Sequence, residues 1–193
     1  MVLQDAADAS SYQTWAVSGF SSRVGSIFTI PVSCVTDPTG PGSTLVRKTS
    51  NQTVTNSATL TNDTELTMAL AANTSYEFEA FIYWTEDGNT NTDGQFAFTV
   101  PASSTLLWVG VNHQGSTTTT NSTGIVATSG ASATPVAGGA IPVSYVYRIR
   151  GYVTTGATAG NLTLQFANAG GTAGSTDTTT VNAGSFIKLG KFN

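Results

Sequence analysis

Charged residues are scarce in this 193-residue chain. They make up 9% of the sequence, against about 25% in an ordinary globular protein, and the formal net charge is −4. A nucleic-acid-binding protein shows a clustered basic surface, and the chain has only seven Lys and Arg residues to build one. We therefore expect no nucleic-acid partner. Thr, Ser, Asn and Gly fill the polar positions instead, which favours a neutral surface or one that is docked in an assembly.

Cysteine is nearly absent as well. Cys34 is the only one, which excludes an intrachain disulfide framework. No apolar run approaches the roughly 20 residues of a membrane-spanning helix, and the first residues show neither the basic leader nor the apolar stretch of a secretory signal. We expect a protein that is made in a cytoplasm and has no membrane partner.

Helical periodicity is the third absence, and alternation with a period of two residues takes its place. The clearest strand is 75–84. One face of this strand is apolar throughout and predicts core, with Tyr76, Phe78, Ala80, Ile82 and Trp84. The other face carries Glu77 and Glu79 and then Phe81 and Tyr83. Because this second face turns apolar, we expect another sheet, an arm or a neighbouring subunit to cover it.

Further alternating segments occur at 44–49, 95–100, 106–111, 144–153, 161–167 and 185–189. Eight or more short strands, separated by turns rich in Gly, Asn and Thr, are typical of a sandwich or barrel. The sequence predicts an all-β fold, an antiparallel β-sandwich that is jelly-roll-like, with an extended N-terminal arm.

Proline and glycine at 37–42 predict the linker between two parts of the chain. Residues 1–42 form the predicted arm, with a strand at 26–34, and residues 43–193 form the β-sandwich domain. Within that domain, 113–140 is a long polar loop, which we expect either to be mobile or to lie against a partner.

The domain resembles a module found in structural proteins of tailed bacteriophages. The resemblance covers about 43–193 and rests on the segments 45–49, 52–60, 63–66, 72–76, 96–101, 150–153, 160–167 and 180–189. Such modules occur in minor tail proteins, head fibres and capsid decoration proteins, commonly as trimers, and carry no catalytic motif. The resemblance implies a non-enzymatic structural protein on the outer surface of the virion, made in the host cytoplasm.

Our preferred hypothesis is a capsid decoration, or cement, protein that trimerises and binds the major capsid protein. The proposed anchor is the arm, where Phe28, Ile30 and Val32 share one face of a strand that could add to a neighbour's sheet. The alternative is a minor tail or fibre protein with a receptor-binding β domain, which exposed aromatic residues such as Trp108 or Tyr152 would favour.

Catalytic and cofactor sites are not predicted. His113 is the only histidine and leaves a strand into a loop, where a surface histidine is the usual interpretation. Glu77 and Glu79 lie roughly 7 Å apart on one strand face, a spacing that glycosidases also use. An alternating strand produces such a pair by default, so we interpret it as part of a solvent or interface face.

Metal binding was weighed at one loop. Asp87, Asn89, Asn91 and Asp93 place oxygen side chains at every second position, as calcium loops do. The segment departs from the EF-hand pattern, since Phe98 stands where a bidentate Glu belongs. The same residues are what a hairpin turn needs, so a plain turn is the favoured interpretation and no metal is predicted.

Overall fold

The structure is a computed structural model in which the chain divides into two compact units, Met1–Gly40 and Pro41–Asn193. It describes residues 44–87, 94–114, 120–122, 125–133, 143–168 and 177–191, together with the backbone of five short strands before residue 35. The division between the units falls inside the Pro- and Gly-rich segment 37–42. Within the described ranges, no helix is long and apolar enough to cross a membrane.

The N-terminal unit contains two small antiparallel sheets. Its strands are β1 (Val2–Gln4), β2 (Tyr12–Val17), β3 (Ser22–Val24), β4 (Ile27–Thr29) and β5 (Val32–Cys34). β2 pairs with β1 and β5, whereas β3 pairs with β4.

The continuous strand predicted at 26–34 is therefore two short strands in different sheets. Phe28 lies on β4 and Val32 on β5, while Ile30 lies outside the described residues. The physical reason is in the sequence: Pro31 has no backbone N–H and cannot continue a hydrogen-bonded ladder.

The second unit contains eleven strands. They are β6 (Thr44–Arg47), β7 (Gln52–Thr55), β8 (Thr61–Leu70), β9 (Ser75–Asp87), β10 (Gly94–Thr99), β11 (Thr105–Gln114), β12 (Thr120–Ser122), β13 (Val143–Thr154), β14 (Gly160–Asn168), β15 (Thr178–Val181) and β16 (Phe186–Lys191). The predicted all-β, antiparallel class is confirmed.

These strands form two sheets. In the small sheet β14 lies between β10 and β8. In the large sheet the order is β12-β11-β13-β9, and β9 then pairs with β15 and β16 in turn, which pair with β7 and β6. If β6/β7 and β15/β16 each count as one interrupted strand, this is a jelly-roll order with one change. The fifth strand, β11, pairs with β13 in the large sheet, whereas a jelly roll places it beside the fourth.

Aromatic side chains from the two sheets meet in the core. Phe98 of β10 packs edge-on against Phe78 and Trp108 of the large sheet, with ring centroids 5.0 and 5.5 Å apart. Phe96 contacts Trp84 in the same way at 5.3 Å. All five rings are at most 1% exposed. The core positions predicted on β9 are confirmed, whereas the exposure considered for Trp108 is contradicted.

The segment predicted as a long loop at 113–140 is in part paired with the sandwich itself. β12 pairs with the end of β11, and Val126 then exchanges two backbone hydrogen bonds with Trp108, of 2.9 and 3.0 Å. Further on, Ala133 exchanges two with Phe96, which lies on the other sheet. Over 120–133 the described residues thus bridge the edges of both sheets. Covering an edge strand in this way removes a site for unwanted pairing.

Candidate docking surface

The large sheet has a second apolar face, which points away from the core. We call it the outer face and define it by residues aligned across β11, β13, β9, β16 and β6. Its four rows are Leu107, Tyr152, Glu77 and Gly190; Val109, Arg150, Glu79, Lys188 and Leu45; Val111, Arg148, Phe81, Phe186 and Arg47; and His113, Val146 and Tyr83. The alternation that buries one face of each strand produces this surface on the other.

Exposed apolar side chains concentrate on the outer face. Seven large hydrophobic residues of the described chain are exposed, and six of them lie here: Leu45, Tyr83, Leu107, Val109, Val111 and Tyr152. Phe81 and Phe186 add a stacked pair with centroids 5.5 Å apart and ring planes 4° apart. Scattered apolar residues on a surface need no explanation, but a contiguous patch marks an interaction site.

Charged residues lie in the middle of this apolar surface. Arg150 and Glu79 form an ion pair of 2.6 Å, with side chains that are 78% and 49% exposed. Lys188 is aligned with Glu79 on its other side. Glu79 therefore lies between two cations, as the interface interpretation of the Glu77–Glu79 face allows. An exposed pair of this kind contributes little to stability, so its placement matters more for recognition.

A groove of about 440 Å³ runs across the same face. Its floor includes Ala80, Gly110 and Ile149, and its walls carry Phe81, Val109, Val111, Phe186, Arg148, Arg150, Glu79 and His113. The mixture of apolar walls and a few polar groups is what a bound side chain or small ligand requires. His113 is thus on the rim of this groove, at the end of a strand.

Tyr152 lies at one border of the outer face and is hydrogen-bonded there. Its phenolic oxygen accepts a hydrogen bond of 2.6 Å from the Thr154 hydroxyl, and Ser75 contacts Thr154 at 2.9 Å. These hydroxyl groups, Thr154 foremost and then Ser75, lower the pKa of Tyr152. The Tyr152 ring, which was considered for receptor binding, is 39% exposed.

A second charged cluster lies between the two sheets and is structural. The Lys48 ammonium is 2.9 Å from one Asp63 oxygen and 3.1 Å from the other, and both side chains are fully buried. Nearby, Glu65 accepts hydrogen bonds from the backbone N–H and the hydroxyl groups of Thr49 and Ser50. The Ser50 hydroxyl first and then Thr49 lower the pKa of Glu65 to about 2. Sequence reasoning missed this site, because Asp63 and Lys48 are distant in the chain.

A buried carboxylate lies at the far end of β9. Glu86 is 4% exposed and accepts a hydrogen bond of 2.5 Å from the Tyr145 hydroxyl. The Tyr145 ring stacks on Trp84, whose indole N–H donates to Asn112. These contacts join β9, β13 and β11 at one end of the core.

The calcium candidate cannot be placed. Asn89, Asn91 and Asp93 lie outside the described residues, and of Asp87 only the backbone, as the last residue of β9, is described. In the described part of the chain, His, Cys, Asp and Glu nowhere form a group of three that could hold a metal ion.

Comparison with known proteins adds little. No protein-family model matches the chain, and no characterised protein does. The chain is similar to a solved structure of infectious bursal disease virus, Gx strain, with 12% identity over 83% of this chain and 43% of that one, at a TM-score of 0.20. A VP2 subviral particle of the same virus gives 12% identity, coverage of 83% and 42%, and a TM-score of 0.17. The chain thus spans less than half the length of both solved chains. Values this low establish neither a common fold nor a common function.

Proposed function

We propose that this chain is a non-enzymatic structural protein of a tailed-bacteriophage particle. More specifically, it is a capsid decoration protein that binds the major capsid protein on the outer surface of the head and stabilises it. The observation that carries the proposal is the outer face of the large sheet, where six of seven exposed hydrophobic residues of the described chain collect. A sandwich that already has a filled core has no structural need for this second apolar face, so a partner explains it best.

The size of the outer face fits many weak contacts better than one tight contact. It spans five strands and about seven residues of each, which corresponds to about 400 Å² when strands are about 4.8 Å apart and residues rise about 3.3 Å. A stable protein interface buries about 800 Å² on each partner. A single copy would therefore dock weakly. Trimers that attach to a repeating capsid lattice would gain avidity without any new contact.

The alternative function is a minor tail or fibre protein with a receptor-binding β domain. The groove on the outer face favours it, since Tyr152 and His113 expose polar and aromatic groups beside an apolar floor. A receptor-binding role predicts a saturable interaction with a host-surface glycan and a small number of copies in each particle.

Copy number distinguishes the two functions. Quantitative mass spectrometry of purified particles, with the major capsid protein as the internal reference, would give a copy number of the same order as the capsid protein for a decoration protein. A copy number far below it would contradict decoration and support the tail or fibre alternative. Absence of the chain from purified particles would contradict both.

A further inference from the structure

The basic residues of the chain are not evenly distributed. The chain has seven Lys and Arg residues and a net charge of −4. Four of the seven lie on the outer face: Arg47, Arg148, Arg150 and Lys188. The same surface carries only two carboxylates, Glu77 and Glu79, so its net formal charge is +2. An acidic protein thus presents one apolar surface with positive charge.

We infer that the outer face binds an acidic protein surface, and that Arg148 receives a carboxylate of the partner. This inference rests on the proposed function for the identity of the partner, but the site itself follows from charge and geometry. Complementary charge steers two proteins together and selects the partner.

Arg148 is the cation best placed for this contact. Arg150 is already paired with Glu79 at 2.6 Å, whereas Arg148 forms no ion pair with any described residue. Its neighbours across the sheet are Val111 and Phe81, so the guanidinium is set among apolar side chains. A planar guanidinium can hold a carboxylate through two parallel hydrogen bonds, and the surrounding apolar residues exclude water from the contact.

Other occupants fit this surface less well. Nucleic acid requires a strongly basic surface that contacts many phosphates, and a net charge of +2 with exposed Val and Leu does not provide one. A second copy bound face to face would bring two positive surfaces together, which opposes association. An acidic polysaccharide could use Arg148 but would leave Leu107, Val109 and Val111 without apolar contacts.

The first test uses the full-length protein and an immobilised random copolymer of glutamate and tyrosine, which combines carboxylates with apolar rings. We expect saturable binding that weakens with added salt. Arg148→Glu should weaken it by about tenfold or more, and Arg148→Gln by less. Lys191→Glu is the matched control, since Lys191 is an exposed cation outside the outer face, and it should bind as the wild type does. Thermal unfolding of each variant checks that it is folded.

Two results would overturn the inference. One is equal loss of binding in Arg148→Glu and Lys191→Glu, which would show a general charge effect. The other is binding of hyaluronate or duplex DNA as tight as that of the copolymer, with the same loss in Arg148→Glu. Either result would mean that the outer face does not select an acidic protein.

A second assay with particles that lack the chain separates this inference from the proposed function. If wild-type protein does not bind the particles while Arg148 still governs copolymer binding, the docking site stands and the decoration function fails. If wild type and Arg148→Glu bind the particles equally well, the decoration function stands and the docking site is wrong.

Discussion

Lys48 and Asp63 form an ion pair that joins the two sheets of the sandwich. Lys48 follows β6 of the large sheet, Asp63 lies on β8 of the small sheet, and their charged groups are 2.9 Å apart with no exposure to solvent. Asp63 also accepts hydrogen bonds from the backbone N–H groups of Glu65 and Leu66. The Asp63 carboxylate is therefore satisfied from both sheets, which locks the side of the sandwich opposite to 120–133.

Removing one member of this pair should be costly. We expect Lys48→Met to lower the free energy of unfolding by about 3–5 kcal/mol, because it leaves the Asp63 carboxylate buried without its counter-charge. The double variant Lys48→Met/Asp63→Asn should recover part of this loss, since the remaining amide carries no charge. Urea unfolding of the wild type, both single variants and the double variant gives the coupling. Additive losses in the double variant would show that the two groups do not depend on each other.

Glu65 should make stability depend on pH in the acidic range. Its pKa in the folded protein is about 2, below the ordinary value of 4.5, so the unfolded chain takes up a proton first as the pH falls. The stabilising contribution is fully present above about pH 5 and is lost progressively between about pH 4.5 and 2. We expect the difference in urea midpoint between the wild type and Glu65→Gln to shrink over that range.

Ser50→Ala provides the control for this pH effect. The Ser50 hydroxyl has the largest effect in lowering the pKa of Glu65, so its removal should narrow the range over which stability is lost, from the acidic end. If Ser50→Ala and the wild type lose stability identically with pH, the hydrogen bonds to Glu65 do not control its titration.

Alternation within a strand was sufficient to predict which residues enter the core. Tyr76 to Trp84 on β9 and Tyr145 to Ile149 on β13 show it, because side-chain direction depends only on the period of two residues. The continuous apolar run at 106–111 was ambiguous, since both of its faces are hydrophobic. There Trp108 points into the core while Val109 points outward.

Relations between distant strands could not be read from the sequence. The outer face exists because β11, β13, β9 and β16 align in one register, and register between strands is decided by long-range packing. The same holds for Lys48, which stands beside Arg47 in the sequence as one of two similar basic residues, yet is 1% exposed while Arg47 lies on the surface.

Gly110 is required by close packing. A Cβ atom at this position would overlap the ring of Tyr147, which lies against the backbone of β11. We expect Gly110→Ala to destabilise the protein by about 1–3 kcal/mol, because the buried Tyr147 ring cannot move without displacing its neighbours. Gly190→Ala is the matched strand control. Its Cβ would meet only the flexible side chain of Glu77 at 3.2 Å, so its unfolding midpoint should stay close to that of the wild type. Equal losses in the two variants would mean that strand glycine as such, and not the Tyr147 ring, causes the effect.

A truncated protein that begins at residue 43 tests the anchoring role assigned to the first 42 residues. Its core is intact, since every buried core residue of the described chain lies between Val54 and Leu189, so we expect thermal unfolding to remain cooperative. Its binding to particles that lack the chain should be weaker than that of the full chain, because the outer face alone offers about half of a standard interface. Phe28→Asp in the full chain should give a similar loss if the anchor uses that residue. Combining the truncation with Arg148→Glu should abolish binding, since both contacts are then removed. Undiminished binding by the truncated protein would remove the anchor, with Phe28, Ile30 and Val32, from the mechanism and leave the outer face as the whole contact.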